Sequence, residues 1–228
     1  MNRFYVTAEV CVETVEDARA AKAGGADRLE LCLDLTCGGL TPPAELVAAV
    51  KQAVELPLVA MLRPRAGNFV YNARELDGMC ARAGELRAAG ADAIVLGALT
   101  REGLVDLAAL ERLTAAAAPL PLVFHRAFDA LADQDTGLEA LIAARCARVL
   151  TSGDPLGVEH GLTRLAALVK RAADRIEIMP GGGVRAANAA RLLRATGARA
   201  IHFSGKERYG APTRASDVRA IVSAVREA

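Results

Sequence analysis

Short runs of Val, Ile, Leu and Ala recur along the 228-residue chain, separated by longer Ala- and Leu-rich stretches whose apolar positions repeat with helical period. Runs this short and this apolar fit strands covered on both faces, and the stretches between them fit the helices that would cover such a sheet. Eight strands are predicted, at residues 4–11, 28–32, 58–63, 93–97, 122–125, 148–151, 176–179 and 200–203. Thr14 with Asp17 three residues on, Thr41 before Pro42, and Asp154 before Pro155 mark helix starts. Gly25-Ala26-Asp27, Gly90-Ala91-Asp92 and Gly197-Ala198-Arg199 each end a helix with the residue that most easily takes the left-handed cap, then lead into a strand. This repeat favours an α/β fold, a closed (β/α)8 barrel of the TIM type, as one domain over residues 1–228. An open doubly wound sheet is the alternative. It is disfavoured because no Gly-x-Gly-x-x-Gly follows the first strand and no second architecture interrupts the alternation.

Side chains alternate across a strand, so residues two apart share a face. Glu-x-Cys closes the first strand as Glu9-Val10-Cys11 and the second as Glu30-Leu31-Cys32, which puts two carboxylates and two thiols on one side of neighbouring strands. By the same parity the inward set is Glu9, Cys11, Glu30, Cys32, Met61, Arg63, His125, Thr151, Glu177, Met179 and His202. Their neighbours Val10, Leu31, Leu62, Phe124, Leu150, Ile176, Ile178, Ile201 and Phe203 then pack against helices. Polar groups in phase on several buried strands line the barrel, and its C-terminal mouth is where active sites of this architecture are assembled. A buried carboxylate is costly unless it is paired, hydrogen-bonded or protonated, so two of them ask for a reason.

Composition narrows the function classes. With 53% apolar residues the chain supports one substantial core, and a net charge of +1 offers no basic field for nucleic acid or an anionic membrane. No apolar stretch approaches the roughly 18 residues of a membrane span, and the first dozen residues lack a signal-peptide layout, so a cytoplasmic location is expected. Five cysteines, an odd number at irregular spacing, argue for thiols rather than a disulfide framework.

Two chemistries compete for the inward groups. In the first, Glu9, Glu30, His125 and Asp129 do acid/base work on a small anionic, even phosphorylated, molecule, with Arg63 and Arg126 clamping the anion. The run His125-Arg126-Ala127-Phe128-Asp129 places an imidazole, a fixed cation and a carboxylate within a few residues. Pro180-Gly181-Gly182-Gly183-Val184 and Ser204-Gly205-Lys206 follow the seventh and eighth strands, whose loops commonly cradle phosphate in such barrels. Gly182, Gly183 and Ser204 are the candidates there, joined as ligand-binding residues by the inward Thr151 and His202. The structural alternatives are an internal ion-pair network joining Glu9 and Glu30 to Arg63, Arg65 or Arg126, a core His125 beside a helix-capping Asp129, and a tight turn at the glycines. In the second chemistry Cys11 and Cys32 bind Cu(I) linearly, soft sulfur being selective for that ion, with Cys37 and Met61 as soft neighbours. No Cys-x-x-Cys or His-x-x-x-His occurs, so the spacing is not that of a closed zinc site. The alternative is two small side chains filling a narrow barrel.

Motifs spanning nearly the whole chain resemble one family, the CutC copper-homeostasis proteins. They are Glu9-Val10-Cys11-Val12, Gly25-Ala26-Asp27-Arg28-Leu29-Glu30-Leu31-Cys32, Gly38-Gly39-Leu40-Thr41-Pro42, Arg63-Pro64-Arg65, Phe69-Val70-Tyr71, Phe124-His125-Arg126-Ala127-Phe128-Asp129, Leu150-Thr151-Ser152-Gly153 and Met179-Pro180-Gly181-Gly182-Gly183-Val184. The resemblance implies a TIM barrel, a cytosolic location, a homodimer, a link to copper homeostasis, and Cu(I) ligation at Cys11 and Cys32. An apolar helix face over residues 107–113 is compatible with the dimer. Two departures from the family pattern are Pro43, where serine is expected, and Gly182, where alanine is usual; the first weakens any role for a hydroxyl at that position.

Overall fold

The Gly-Ala-Asp repeats explain much of how the strands are joined. Gly25 and Gly90 take φ values of 93° and 98° at helix ends. The aspartate two residues later turns back on the preceding strand: Asp27 accepts a hydrogen bond from the Ala8 N–H at 2.7 Å, and Asp92 one from the Leu58 N–H at 2.7 Å. Each repeat therefore ends a helix and seats the next strand beside the last.

A computed structural model, describing residues 5–208 and 210–228, contains eight strand and helix pairs among those residues. In chain order they are β1 Thr7–Val12, α1 Val15–Ala23, β2 Arg28–Leu31, α2 Ala44–Ala53, β3 Leu58–Met61, α3 Ala73–Ala88, β4 Ala93–Leu96 and α4 Leu107–Ala117. There follow β5 Leu122–Phe124, α5 Gln134–Ala143, β6 Arg148–Thr151, α6 Leu162–Ala172, β7 Glu177–Pro180, α7 Ala186–Thr196, β8 Ala200–Phe203 and α8 Ala215–Arg226. The strands are all parallel, in the order β7-β6-β5-β4-β3-β2-β1-β8. A parallel bridge between Gly181 and His202 joins the two ends into a barrel. The first predicted strand begins at Phe4, which lies outside the described residues.

Helix starts divide. The Thr14 side chain caps α1 by accepting the Asp17 N–H at 3.0 Å, as expected. Thr41 instead uses its hydroxyl to accept the Arg63 N–H at 2.8 Å, and α2 begins after Pro43. Asp154-Pro155 opens a turn, with Asp154 accepting from Leu156, and α6 starts only at Leu162. Both sequences initiate turns as readily as helices.

The outward side chains Val10, Leu29, Leu31, Leu58, Leu62, Ile94, Leu96, Phe124 and Ile201 are fully buried between sheet and helices. Inside the barrel, Cys11, Cys32, Val59, Met61, Ala93, Val95 and Val123 form one apolar cluster, and Leu150, Met179 and Ala200 another. Register corrects the expected parity on β6. Val123 pairs with Arg148, and Arg148 with Glu177, so Arg148 and Leu150 face inward and Thr151 does not. In a four-residue strand a one-residue phase error moves every side chain to the other face, and Arg-Val-Leu-Thr lacks a polar alternation to set the phase.

No helix of the described residues is long and apolar enough to cross a membrane. All five cysteines are free. On α4, Leu110 and Leu113 belong to the core and Leu107 is exposed.

Candidate functional site

β1, β2 and β8 place Glu9 opposite both Arg28 and His202, because Glu9 pairs in register with each of them. Arg28 Nε donates to Glu9 Oε2, and His202 Nδ1 lies 2.8 Å from Glu9 Oε1. Burial by itself would raise the Glu9 carboxyl. The His202 hydrogen bond and the charges of Arg28 and Arg148 reverse that and hold it at about 2, below the usual carboxylate range. Arg28 also reaches Met179 Sδ at 3.4 Å and Glu177 Oε2 at 3.7 Å, and Arg148 Nε stands 3.3 Å from the same Glu177 oxygen. These charges form an ion-pair belt inside the barrel, buried at Glu9 and reaching solvent at Glu177.

One step toward the mouth, Cys11 pairs with Glu30 across β1 and β2. Cys11 Sγ lies 3.4 Å from Cys32 Sγ and 3.5 Å from Glu30 Oε1, and His202 Nε2 is 3.8 Å from that oxygen. The donor atoms of Cys11, Glu30 and His202 all lie within 4.8 Å of one another, a spacing able to hold a metal ion. The second oxygen of Glu30, Oε2, is buried without a partner. Burial raises the Glu30 carboxyl, with the Glu9 charge adding to it and the His202 charge opposing it. Burial lowers the His202 imidazole, but Glu30 and Glu9 outweigh it and raise the group overall. The Cys32 hydrogen bond, then burial and the Glu30 charge, push the Cys11 thiol well above its ordinary value.

Above this floor opens a cavity of about 520 Å³ at the C-terminal end of the strands, where the barrel is expected to carry its chemistry. One wall is built by the segments after β3 and β5. Arg63, 5% exposed, donates from Nη1 to the carbonyls of Cys37 and Gly39 and from Nη2 to that of Gly67. Phe69 lies between Arg63 and His125: the guanidinium carbon is 5.0 Å from its ring centroid, and the His125 ring is 5.0 Å away, centroid to centroid. His125 Nδ1 accepts the Ala127 N–H at 3.1 Å, which places the remaining proton of the neutral ring on Nε2. Burial first, and the Arg63 charge second, lower this imidazole to about 3.

The opposite wall comes from the loops after β7 and β8. Gly182 and Gly183 hold φ values of 100° and 91°, where a side chain is strained. A Cβ on Gly182 would also stand 3.1 Å from the Arg126 guanidinium carbon, so a side chain at this position has little room. Arg126 Nε donates to Asp129 at 2.8 Å and its Nη2 to Ser152 at 3.0 Å. Asp129 faces away from the cavity: it also accepts from the Ser152 N–H and from the Thr151 and Ser152 hydroxyls, which makes it a brace for the β6 loop. Ser204 lines the cavity, beside a Lys206 whose ammonium is spoken for by Glu13 at 3.0 Å and Asp17 at 2.9 Å.

Of the residues singled out in the sequence, Cys11, Glu30, Arg63, His125, Arg126, Gly182, Gly183, His202 and Ser204 meet at this cavity. Cys32 lies directly behind Cys11, and Glu9 behind His202. Thr151 and Asp129 join each other instead. Sequence reading missed Arg28 and Arg148. Arg28 shares parity with the inward Glu30, so the parity rule could have found it, whereas Arg148 shares parity with Leu150, which the expected phase of β6 turns outward and only register turns inward. Gly97 is a further dependence: a Cβ there would stand 2.3 Å from His125 Cε1 and 2.6 Å from Ala127 Cβ. Gly97→Ala is expected to displace His125 and to destabilise the fold by about 1–3 kcal/mol, read from the urea midpoint; an unchanged midpoint and unshifted His125 NMR signals would contradict it.

Comparison with known proteins gives the arrangement its relatives. The family model described as the CutC family matches residues 6–207. The human copper homeostasis protein cutC homolog is 43% identical over 198 residues, covering 87% of this chain and 72% of the human protein. A CutC family protein of Xanthomonas campestris is 46% identical over 198 residues, covering 87% of this chain and 82% of its own. Among solved structures, CutC from Streptococcus agalactiae superposes with a TM-score of 0.84 at 35% identity, over 87% of this chain and 98% of that one. Phosphoribosylanthranilate isomerase of Thermotoga maritima, at 13% identity and a TM-score of 0.63 over 98% of this chain and 100% of its own, shares the barrel alone.

Proposed function

Because this chain belongs to the CutC family, we propose that it serves copper homeostasis by binding Cu(I) at Cys11 and Cys32, with His202 or Glu30 as a third donor. The observation that carries this reading is the 3.4 Å separation of the two buried sulfurs beside a carboxylate and an imidazole. Two thiols suit a soft cation, and Met61 packs in the same cluster as both. A linear dithiolate would hold its sulfurs about two metal–sulfur bonds apart, roughly 4.6 Å for bonds like those to zinc. The shorter separation here favours a bent pair completed by a further ligand over the linear pair expected from sequence. A cytosolic location and a homodimer belong to the same proposal; free thiols throughout the chain support a reducing compartment.

The test is a competition titration of Cu(I) against a chromophoric chelator under reducing conditions. The native protein is expected to bind one equivalent, with Cys11→Ser and Cys32→Ser each weakening it by a hundredfold or more, and His202→Gln by roughly 10–100-fold. Binding that survives both serine substitutions unchanged would remove Cu(I) from this pair.

A further inference from the structure

We propose that the wall opposite the glycine loops is a binding site for a small carboxylate, held by the Arg63 Nε–H and the His125 Nε2–H. The two side chains are 5% and 4% exposed, and these two nitrogens are buried without a hydrogen-bond partner. Both residues line the cavity. The other nitrogens of each are committed: the Arg63 Nη atoms to three carbonyls of the flanking loops, and His125 Nδ1 to the Ala127 N–H. Those bonds and the Phe69 ring fix both planes and leave on each residue one nitrogen that has no partner.

The charge on this wall has no counterion. Among the described residues no carboxylate lies within ion-pair distance of Arg63, whereas Arg126 has Asp129 and Lys206 has Glu13 and Asp17. A buried guanidinium met only by uncharged groups, the loop carbonyls, the Phe69 ring and the Tyr71 hydroxyl, is an expensive arrangement, and a ligand anion is what completes it. One positive charge with two N–H donors matches the single charge and two oxygens of a carboxylate. A phosphate dianion would leave surplus negative charge against Phe69, Met61 and Leu35, the apolar part of the lining. The site stands on the segments after β3 and β5, whereas the thiols stand on and just after β1 and β2, so it does not depend on the copper reading.

Protein carrying 13C,15N-labelled histidine is titrated with acetate and, separately, with orthophosphate at constant ionic strength, following the His125 ring signals by NMR. Acetate is expected to shift them saturably, and orthophosphate to bind at least tenfold more weakly. Arg63→Met is expected to weaken acetate at least tenfold. Arg63→Lys, which keeps the charge but lacks the planar Nε donor, is expected to do the same and serves if the methionine variant does not fold. The Cys11→Ser/Cys32→Ser double variant is expected to bind acetate as the native protein does, which separates this site from any failure of the copper proposal. The site is overturned if acetate leaves His125 unmoved or binds both Arg63 variants unchanged. Its independence of the thiols is overturned if the double cysteine variant loses acetate, and its preference for carboxylate if orthophosphate binds as tightly.

Discussion

Arg28→Met is expected to lower stability by roughly 3 kcal/mol, among the largest effects of any single substitution in this barrel. Arg28 donates to Glu9, a carboxylate 1% exposed, and lies within 3.7 Å of Glu177. Removing one member of a buried pair strands the other charge, which commonly costs about 3–5 kcal/mol. The lower end applies because His202 still holds the second Glu9 oxygen. Methionine keeps most of the side-chain volume, so the loss reports the charge and not a cavity. The companion Glu9→Gln retains a hydrogen-bonding group for His202 while removing the charge. In the double variant Arg28→Met/Glu9→Gln, stability is therefore expected to recover to within about 1–2 kcal/mol of the native protein, a coupling that urea unfolding of the four proteins measures. An Arg28→Met loss below about 1 kcal/mol, or single losses that simply add, would show that the belt is not a coupled ion pair.

That belt also shows where sequence reasoning stops. The Glu-x-Cys repeat was legible because two strands carry the same polar phase, and register does bring Glu9, Cys11 and Glu30 into one interior. The Gly-Ala-Asp repeats were legible because glycine and aspartate each have a local task at the turn. Arg28 was not recognised, since an arginine at the first residue of a strand reads as a solvated end even where its parity with Glu30 turns it inward. Thr151 was misplaced for the related reason that a four-residue strand contains too few residues to fix its own phase. Asp129 is the clearest limit. Its sequence context suggested an acid beside His125, but besides Arg126, three residues before it, its oxygens are filled by Thr151 and Ser152, contacts that span more than twenty residues of chain and leave no local signal. The fold thus follows from local patterning, whereas the site follows from which polar groups find partners, a tertiary property.

His125 gives that difference a measurable form in the pH dependence of stability. Its folded value of about 3 lies well below the ordinary 6.5, so the folded protein refuses a proton that the unfolded chain accepts once the pH falls below 6.5. The unfolded state then binds more protons, and its stabilisation grows as the pH drops; above 6.5 both states are neutral and the residue contributes no slope. Glu9, at about 2 against an ordinary 4.5, acts in the same direction only below pH 4.5. Glu30 and His202 are raised and act with the opposite sign above their ordinary values. A comparison of native protein with His125→Gln removes these shared contributions. Between pH 7.5 and pH 5.0 the native protein is expected to lose about 1.5–2 kcal/mol more stability than the variant, following one proton per molecule at 1.36 kcal/mol per pH unit below 6.5. Urea unfolding of both proteins at the two pH values measures the difference. Parallel pH profiles would mean that His125 takes up its proton in the folded state as easily as in the unfolded chain, and the neutral Nε2 donor assigned to the cavity wall would have to be abandoned.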